Sequence, residues 1–98
     1  MKTLEDIKQL LMKHKSEIKE RFGVKNLYIF GSYVRGEQTP ESDIDILVEF
    51  EKGKKTFRNY MGLKFYLEEL FEKKVDLVIK EAVRKELKKN IYGEAINV

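Results

Sequence analysis

The chain lacks cysteine altogether and has one histidine and one proline among its 98 residues. Without cysteine there can be no disulfide and no thiolate metal site, which suits a cytoplasmic protein. No apolar run approaches the roughly 20 residues of a membrane span, and no signal peptide is recognisable. Repeats, low-complexity stretches and internal linkers are missing as well. Charge of one sign is also lacking: 20 Lys and Arg stand against 17 Asp and Glu, for a net +3, and the two signs are interleaved throughout. Interleaving is the mark of a solvated, salt-bridge-laced surface rather than a nucleic-acid groove, so nucleic acid is not the expected partner. A chain this short is expected to form a single domain, 1–98, around one modest core.

The periodicities give an order of elements. Thr3 with Asp6 reads as a helix-start box, Leu4, Ile7, Leu11, Ile18 and Phe22 recur at helical spacing, and Gly23 supplies the stop. The lone His14 lies on that apolar stripe and is expected to be partly buried rather than catalytic. Leu27–Phe30 is apolar and β-prone, and Gly31 breaks it. Pro40 sets a loop at 36–41, and a second strand follows over Asp43–Phe50. A second helix is predicted over Phe57–Glu72, with Tyr60, Leu63, Leu67, Leu70 and Phe71 on one face. Its aromatics Phe57, Tyr60, Phe65 and Tyr66 are expected in the core, with one edge able to touch a nucleobase. Val75–Ile79 is a third strand, and a last helix is predicted over Glu81–Lys89 with Val83, Leu87 and Ile91 in register. Residues 91–98 read equally as an extra turn or a short edge strand. The fold class is α/β, a small mixed sheet of three or four strands flanked by helices. The short 31–42 connection suits an antiparallel first pair, and the helical crossover permits a parallel second pair. Exposed sheet edges leave room for a homo-oligomer or a protein partner.

The segment from Gly31 to Asp45, GSYVRGEQTPESDID, carries the chemistry. Gly31-Ser32 falls where a strand ends and a short helix begins, where free backbone N–H groups favour a phosphate. Glycine permits close approach of the ligand, and a serine hydroxyl adds one donor. Arg35 is placed to add positive charge or to brace the turn. In the second strand, Ile44, Ile46, Val48 and Phe50 share one face, and Asp43, Asp45, Leu47 and Glu49 share the other. The two aspartates therefore point the same way, about 6.8 Å apart at ~3.4 Å rise per residue. Asp76, opposite Val75, Leu77 and Ile79 on the third strand, can join them if the two strands are neighbours. Three carboxylates on a half-buried sheet repel one another unless a divalent cation intervenes. Magnesium accepts such oxygen ligands together with substrate phosphates, and two ions can serve both oxygens of an in-line displacement. Asp76 is then best placed to help deprotonate the attacking hydroxyl. Gly-Ser alone is commonly an ordinary turn, and Asp-x-Asp alone an exposed strand edge. Together, at about 6% per residue type, four fixed positions coincide by chance about once in a hundred thousand starts, so the combination singles out a site.

The segment resembles the signature of the minimal nucleotidyltransferases, small members of the DNA polymerase β-like superfamily. Their pattern of Gly-Ser, ten residues and Asp-x-Asp is matched by Gly31, Ser32, Asp43 and Asp45. Arg35, Gly36, Ser42, Ile44 and the apolar 46–48 also fit, and Asp76 stands where a third acidic residue is usual. The resemblance implies a polymerase β-like palm fold and a metal-dependent transfer of AMP from ATP onto a partner protein's hydroxyl, a tyrosine. It implies Asp43, Asp45 and Asp76 as catalytic and metal-binding residues, and Gly31, Ser32, Arg35 and Ser42 as nucleotide contacts. The cofactor would be two Mg²⁺ ions, with Mn²⁺ as a substitute. The partner would be a small helical ribonuclease toxin of the HEPN class, with this chain as antitoxin. Two other outcomes stay open: a non-catalytic module that neutralises by occupancy, or transfer to a nucleic acid or small molecule.

Overall fold

The computed structural model describes residues 2–98. Helix α1 (Leu4–Phe22) begins at the expected box: the Thr3 hydroxyl accepts from the Asp6 N–H at 3.2 Å, and the Asp6 carboxylate accepts from the Thr3 N–H at 2.9 Å. Such a cap is worth about 1 kcal/mol. Gly23, left-handed at φ 69°, closes the helix and turns the chain into strand β1 (Val24–Phe30). One turn of helix α2 (Ser32–Arg35), shorter than the two turns the connection allows, and a loop lead to β2 (Ile44–Phe50). Thr56 caps α3 (Phe57–Phe71), which crosses over to β3 (Val75–Ile79).

The sheet order is β3-β2-β1, with β1 and β2 antiparallel and β2 and β3 parallel, as the connection lengths require. A two-residue strand, β4 (Ile96–Asn97), adds an antiparallel edge beside β1, making four strands. A bulge between Val24 and Asn26 shifts the alternation, so Val24, Leu27 and Ile29 face the same side. On that side α1 and α3 close the main core: Ile7, Leu11 and Ile18 meet Leu63, Leu67 and Phe71 over Ile44, Ile46, Val48, Val75 and Leu77. The other side carries Tyr28, Phe30, Leu47 and Val78, partly covered by the C-terminal segment through Val83, Ile91 and Ala95. The sheet is thus roofed by helices on one face and only in part on the other.

Two expectations need correction. Phe57 and Phe65 are not core residues; they are 80% and 60% exposed. At 3.6 residues per turn, Phe65 sits about 200° round from Leu63, and only Tyr60 and Tyr66 of the four aromatics reach the core margin. His14 is half-buried as expected and shares a 3.2 Å hydrogen bond with the Tyr66 hydroxyl. The last helix is also displaced. A 3-10 turn over Lys80–Ala82 precedes extended Val83, and α4 (Lys85–Glu94) starts only afterwards. Val83 is pulled onto Phe30 and Leu47, which requires an extended backbone at ψ 133°, and Leu87 is left 42% exposed. Residues 91–98 combine both readings, finishing the helix and then supplying β4.

Candidate active site

Asp45 is the hub of the open face. It pairs across the sheet with Phe30 at the end of β1 and stands directly beside Asp76 on β3. Asp43 lies two residues earlier, just ahead of β2, and is exposed, as is Asp76, while Asp45 is half-buried. The alternation of the strands therefore puts all three carboxylates on one side, in register across neighbouring strands.

The Gly31-Ser32 turn is built against this carboxylate. Gly31 has φ 81° and ψ −152°, a backbone region that glycine alone adopts without strain. A Cβ there would also collide with Asp45, whose Cγ would be only 2.8 Å away. Tyr33, 1% exposed in the core, anchors the single turn of α2 beneath the pair. Burial, then the charges of Asp76 and Asp43, push Asp45 up to about 6, against the pull of the Ser32 backbone N–H and the Arg35 guanidinium. Burial is thus the main cause of the raised value, with the neighbouring carboxylates adding to it.

The oxygen-only donor set suits a hard divalent cation. Among the described residues, no three Asp, Glu, His or Cys side chains are gathered closely enough to hold a metal ion. An ion would therefore draw several ligands from substrate oxygens and water, the usual habit of magnesium.

Arg35 braces more than it projects. Its Nε donates to Glu37 at 2.8 Å, and Nη1 donates to both carboxylate oxygens of Glu94 at 3.0 and 3.1 Å. These bonds raise its already high pKa further. The Ser42 hydroxyl accepts from the Thr39 N–H at 2.8 Å and shapes the loop ahead of Asp43. Beyond Leu47, a second polar cluster was not foreseen. Glu49 accepts from the Tyr28 hydroxyl at 2.7 Å and from Asn26 at 3.1 Å, with Lys80 at 3.6 Å. Those contacts, the Tyr28 bond first, hold Glu49 below the usual carboxylate range. Alternation along β2 put Glu49 on the Asp45 face, but nothing local announced Glu94, which meets Arg35 from 59 residues away.

The nucleotidyltransferase domain family matches residues 11–98 of this chain. The protein adenylyltransferase MntA of Thermococcus cleftensis is 44% identical over 98 residues, spanning 100% of this chain and 98% of that protein. A solved structure described, provisionally, as a minimal nucleotidyltransferase is 32% identical with a TM-score of 0.76, over 94% of this chain and 95% of that one. The fold also matches a complex of a tri-AMPylated Shewanella oneidensis HEPN toxin with an MNT antitoxin, at TM-score 0.63 and 21% identity over 91% of this chain and 69% of that one. Agreement along nearly the whole length, on a sheet that brings the spaced Gly-Ser and Asp-x-Asp elements together, means that this chain belongs to the nucleotidyltransferase domain family, as one of its minimal nucleotidyltransferases.

Proposed function

We propose that this chain transfers AMP from ATP onto a tyrosine hydroxyl of a partner protein, a small helical toxin of the HEPN ribonuclease class, and so acts as its antitoxin. The observation that carries the reading is the register of Asp45 beside Asp76, with the Gly31-Ser32 turn closed against Asp45. The naming of the Thermococcus cleftensis relative as a protein adenylyltransferase supports the protein acceptor, and the tri-AMPylated Shewanella oneidensis toxin supports its kind.

In this reading, two magnesium ions held by Asp43, Asp45 and Asp76 would offset the carboxylate and triphosphate charge and stabilise the attacking and leaving oxygens. The backbone and hydroxyl of Ser32 orient the phosphates, and the Gly31 backbone lets them approach. Arg35, tied to Glu37 and Glu94, braces the same turn, and Ser42 fixes the loop that presents Asp43. The acceptor oxygen forms its bond to the α-phosphorus as the bond to the β-phosphate's bridging oxygen breaks, releasing pyrophosphate. Asp76, exposed on β3 and so accessible to an incoming hydroxyl, takes its proton.

The test is intact-mass spectrometry of the protein encoded in the adjacent reading frame after incubation with this chain, ATP and MgCl₂. The expected result is a gain of one AMP per transfer, lost with an Asp43→Asn, Asp45→Asn double variant. Full neutralisation by that double variant, with no mass gain from the wild type, would establish the occupancy mechanism instead.

A further inference from the structure

Two residues along β2 from Asp45, a partly open cleft of about 100 Å³ lies between the sheet and the C-terminal segment. Tyr28, Leu47, Lys80, Tyr92 and Ala95 line it. A water needs roughly 10–15 Å³ on this measure, so the gap is open space rather than a packing defect. The Lys80 Nζ lies 4.9 Å from the centroid of Tyr28 and 5.5 Å from that of Tyr92, so both aromatic rings look onto one spot. Lys80 is held in place by Glu49 and the Tyr28 hydroxyl, and the Tyr92 hydroxyl donates to the Lys80 carbonyl at 2.6 Å. An ammonium has three donors, so one remains for a ligand atom.

We infer that this cleft receives the base of the nucleoside triphosphate, stacked on Tyr92 with Lys80 donating to a ring acceptor. The inference rests on the proposed function for the position of the phosphates. A row two residues from Asp45 is about 6.8 Å away along the strand, the reach of one sugar from an α-phosphate held at Asp45. Lys80 reaches the cleft from just beyond the end of β3, but the ring of Tyr28 is on β1 and Ala95 leads into β4. The stacking side of the cleft is therefore on the β1–β4 flank of Asp45, whereas Asp76 is exposed on β3. Base and acceptor would thus approach from opposite sides, which argues for the nucleobase rather than the acceptor's own ring. Helix α4 carries both Tyr92 at this cleft and Glu94 on Arg35, so one short segment registers the base against the phosphate turn.

The experiment is calorimetric titration of the full chain with ATP and, separately, with inorganic tripolyphosphate, both with MgCl₂. Base stacking predicts that Tyr92→Ala weakens ATP roughly tenfold to a hundredfold and leaves tripolyphosphate unchanged. Tyr92→Phe keeps the ring and should bind ATP as the wild type does. Ala95→Leu removes neither ring but fills the cleft, and should give the same selective loss. Equal losses for both ligands, or none for ATP, would overturn the base site while leaving the transferase reading intact. A wild type that binds neither ligand would overturn both.

Discussion

Gly31 and Asp45 are a single structural decision made by two residues. The glycine has to be a glycine because of φ 81° and because the Asp45 carboxylate occupies the space of its missing side chain. Asp45 is correspondingly trapped: half-buried, beside Asp76 and near Asp43, its carboxyl is pushed up to about 6. The ordinary value of 3.8 applies once the chain unfolds, so the folded protein holds this proton more tightly than the unfolded one. Asp45 therefore adds stability at pH values below about 4, and that contribution disappears as pH rises through about 6. Asn at this position carries no charge at any pH. In EDTA, Asp45→Asn is expected to raise the melting temperature by a few degrees at pH 8 and to change it little at pH 4. A variant that melts below the wild type at pH 8 would mean that the ionised carboxylate is already compensated within the protein. The shared face of Asp43, Asp45 and Asp76 was legible in the sequence, since strand alternation sets it. Their mutual repulsion was legible too. What the sequence could not display was that Gly31 serves the carboxylate as well as any phosphate, because that depends on a contact between strands.

At the level of elements, connection length and periodicity were good guides wherever one face of one element made the decision. The helix cap at Thr3, the antiparallel and parallel pairings and the acidic face of β2 all follow from local spacing. Failures came where two elements competed for one residue. Val83 has the spacing of a helical core residue, but Phe30 and Leu47 draw it out of helical geometry. Phe57 and Phe65 are hydrophobic enough for a core, yet α3 spends its buried stripe on Leu63, Leu67 and Phe71. Glu68 marks another tertiary demand: its carboxylate accepts from the Val75 N–H at 3.0 Å, at the start of the outer strand. The correction to α3 has a measurable consequence. Leu67→Ala opens a cavity in the main core and should cost about 2–5 kcal/mol, roughly ten degrees or more of melting temperature. Phe65→Ala should stay within about 0.5 kcal/mol of the wild type. Comparable losses for the two substitutions in denaturant titration would put Phe65 in a core that the fold does not give it.

The whole molecule has one helix-roofed face and one face whose exposed half carries the acidic row. That division lets the site stay charged, because the core is completed elsewhere and never has to absorb the carboxylates. It also makes the acidic row a weak point of the metal-free fold, since repulsion among three carboxylates on adjoining strands works against the β2–β3 pairing. A ligand that binds only the folded state stabilises it by mass action, by about 2.7 kcal/mol at a hundred times its dissociation constant. For a domain of this size each kcal/mol corresponds to roughly 4–8 °C. Saturating Mg²⁺ is therefore expected to raise the melting temperature of the wild type by about 10 °C or more, and to do so without any nucleotide. Protons compete for Asp45, so the rise should be larger at pH 8 than at pH 5. The Asp43→Asn, Asp45→Asn double variant keeps the fold and should lose the response. Scanning calorimetry with MgCl₂, against NaCl of equal ionic strength, separates specific binding from screening. An equal rise in both salts, or an undiminished rise in the double variant, would mean that the acidic row is not where the ion binds.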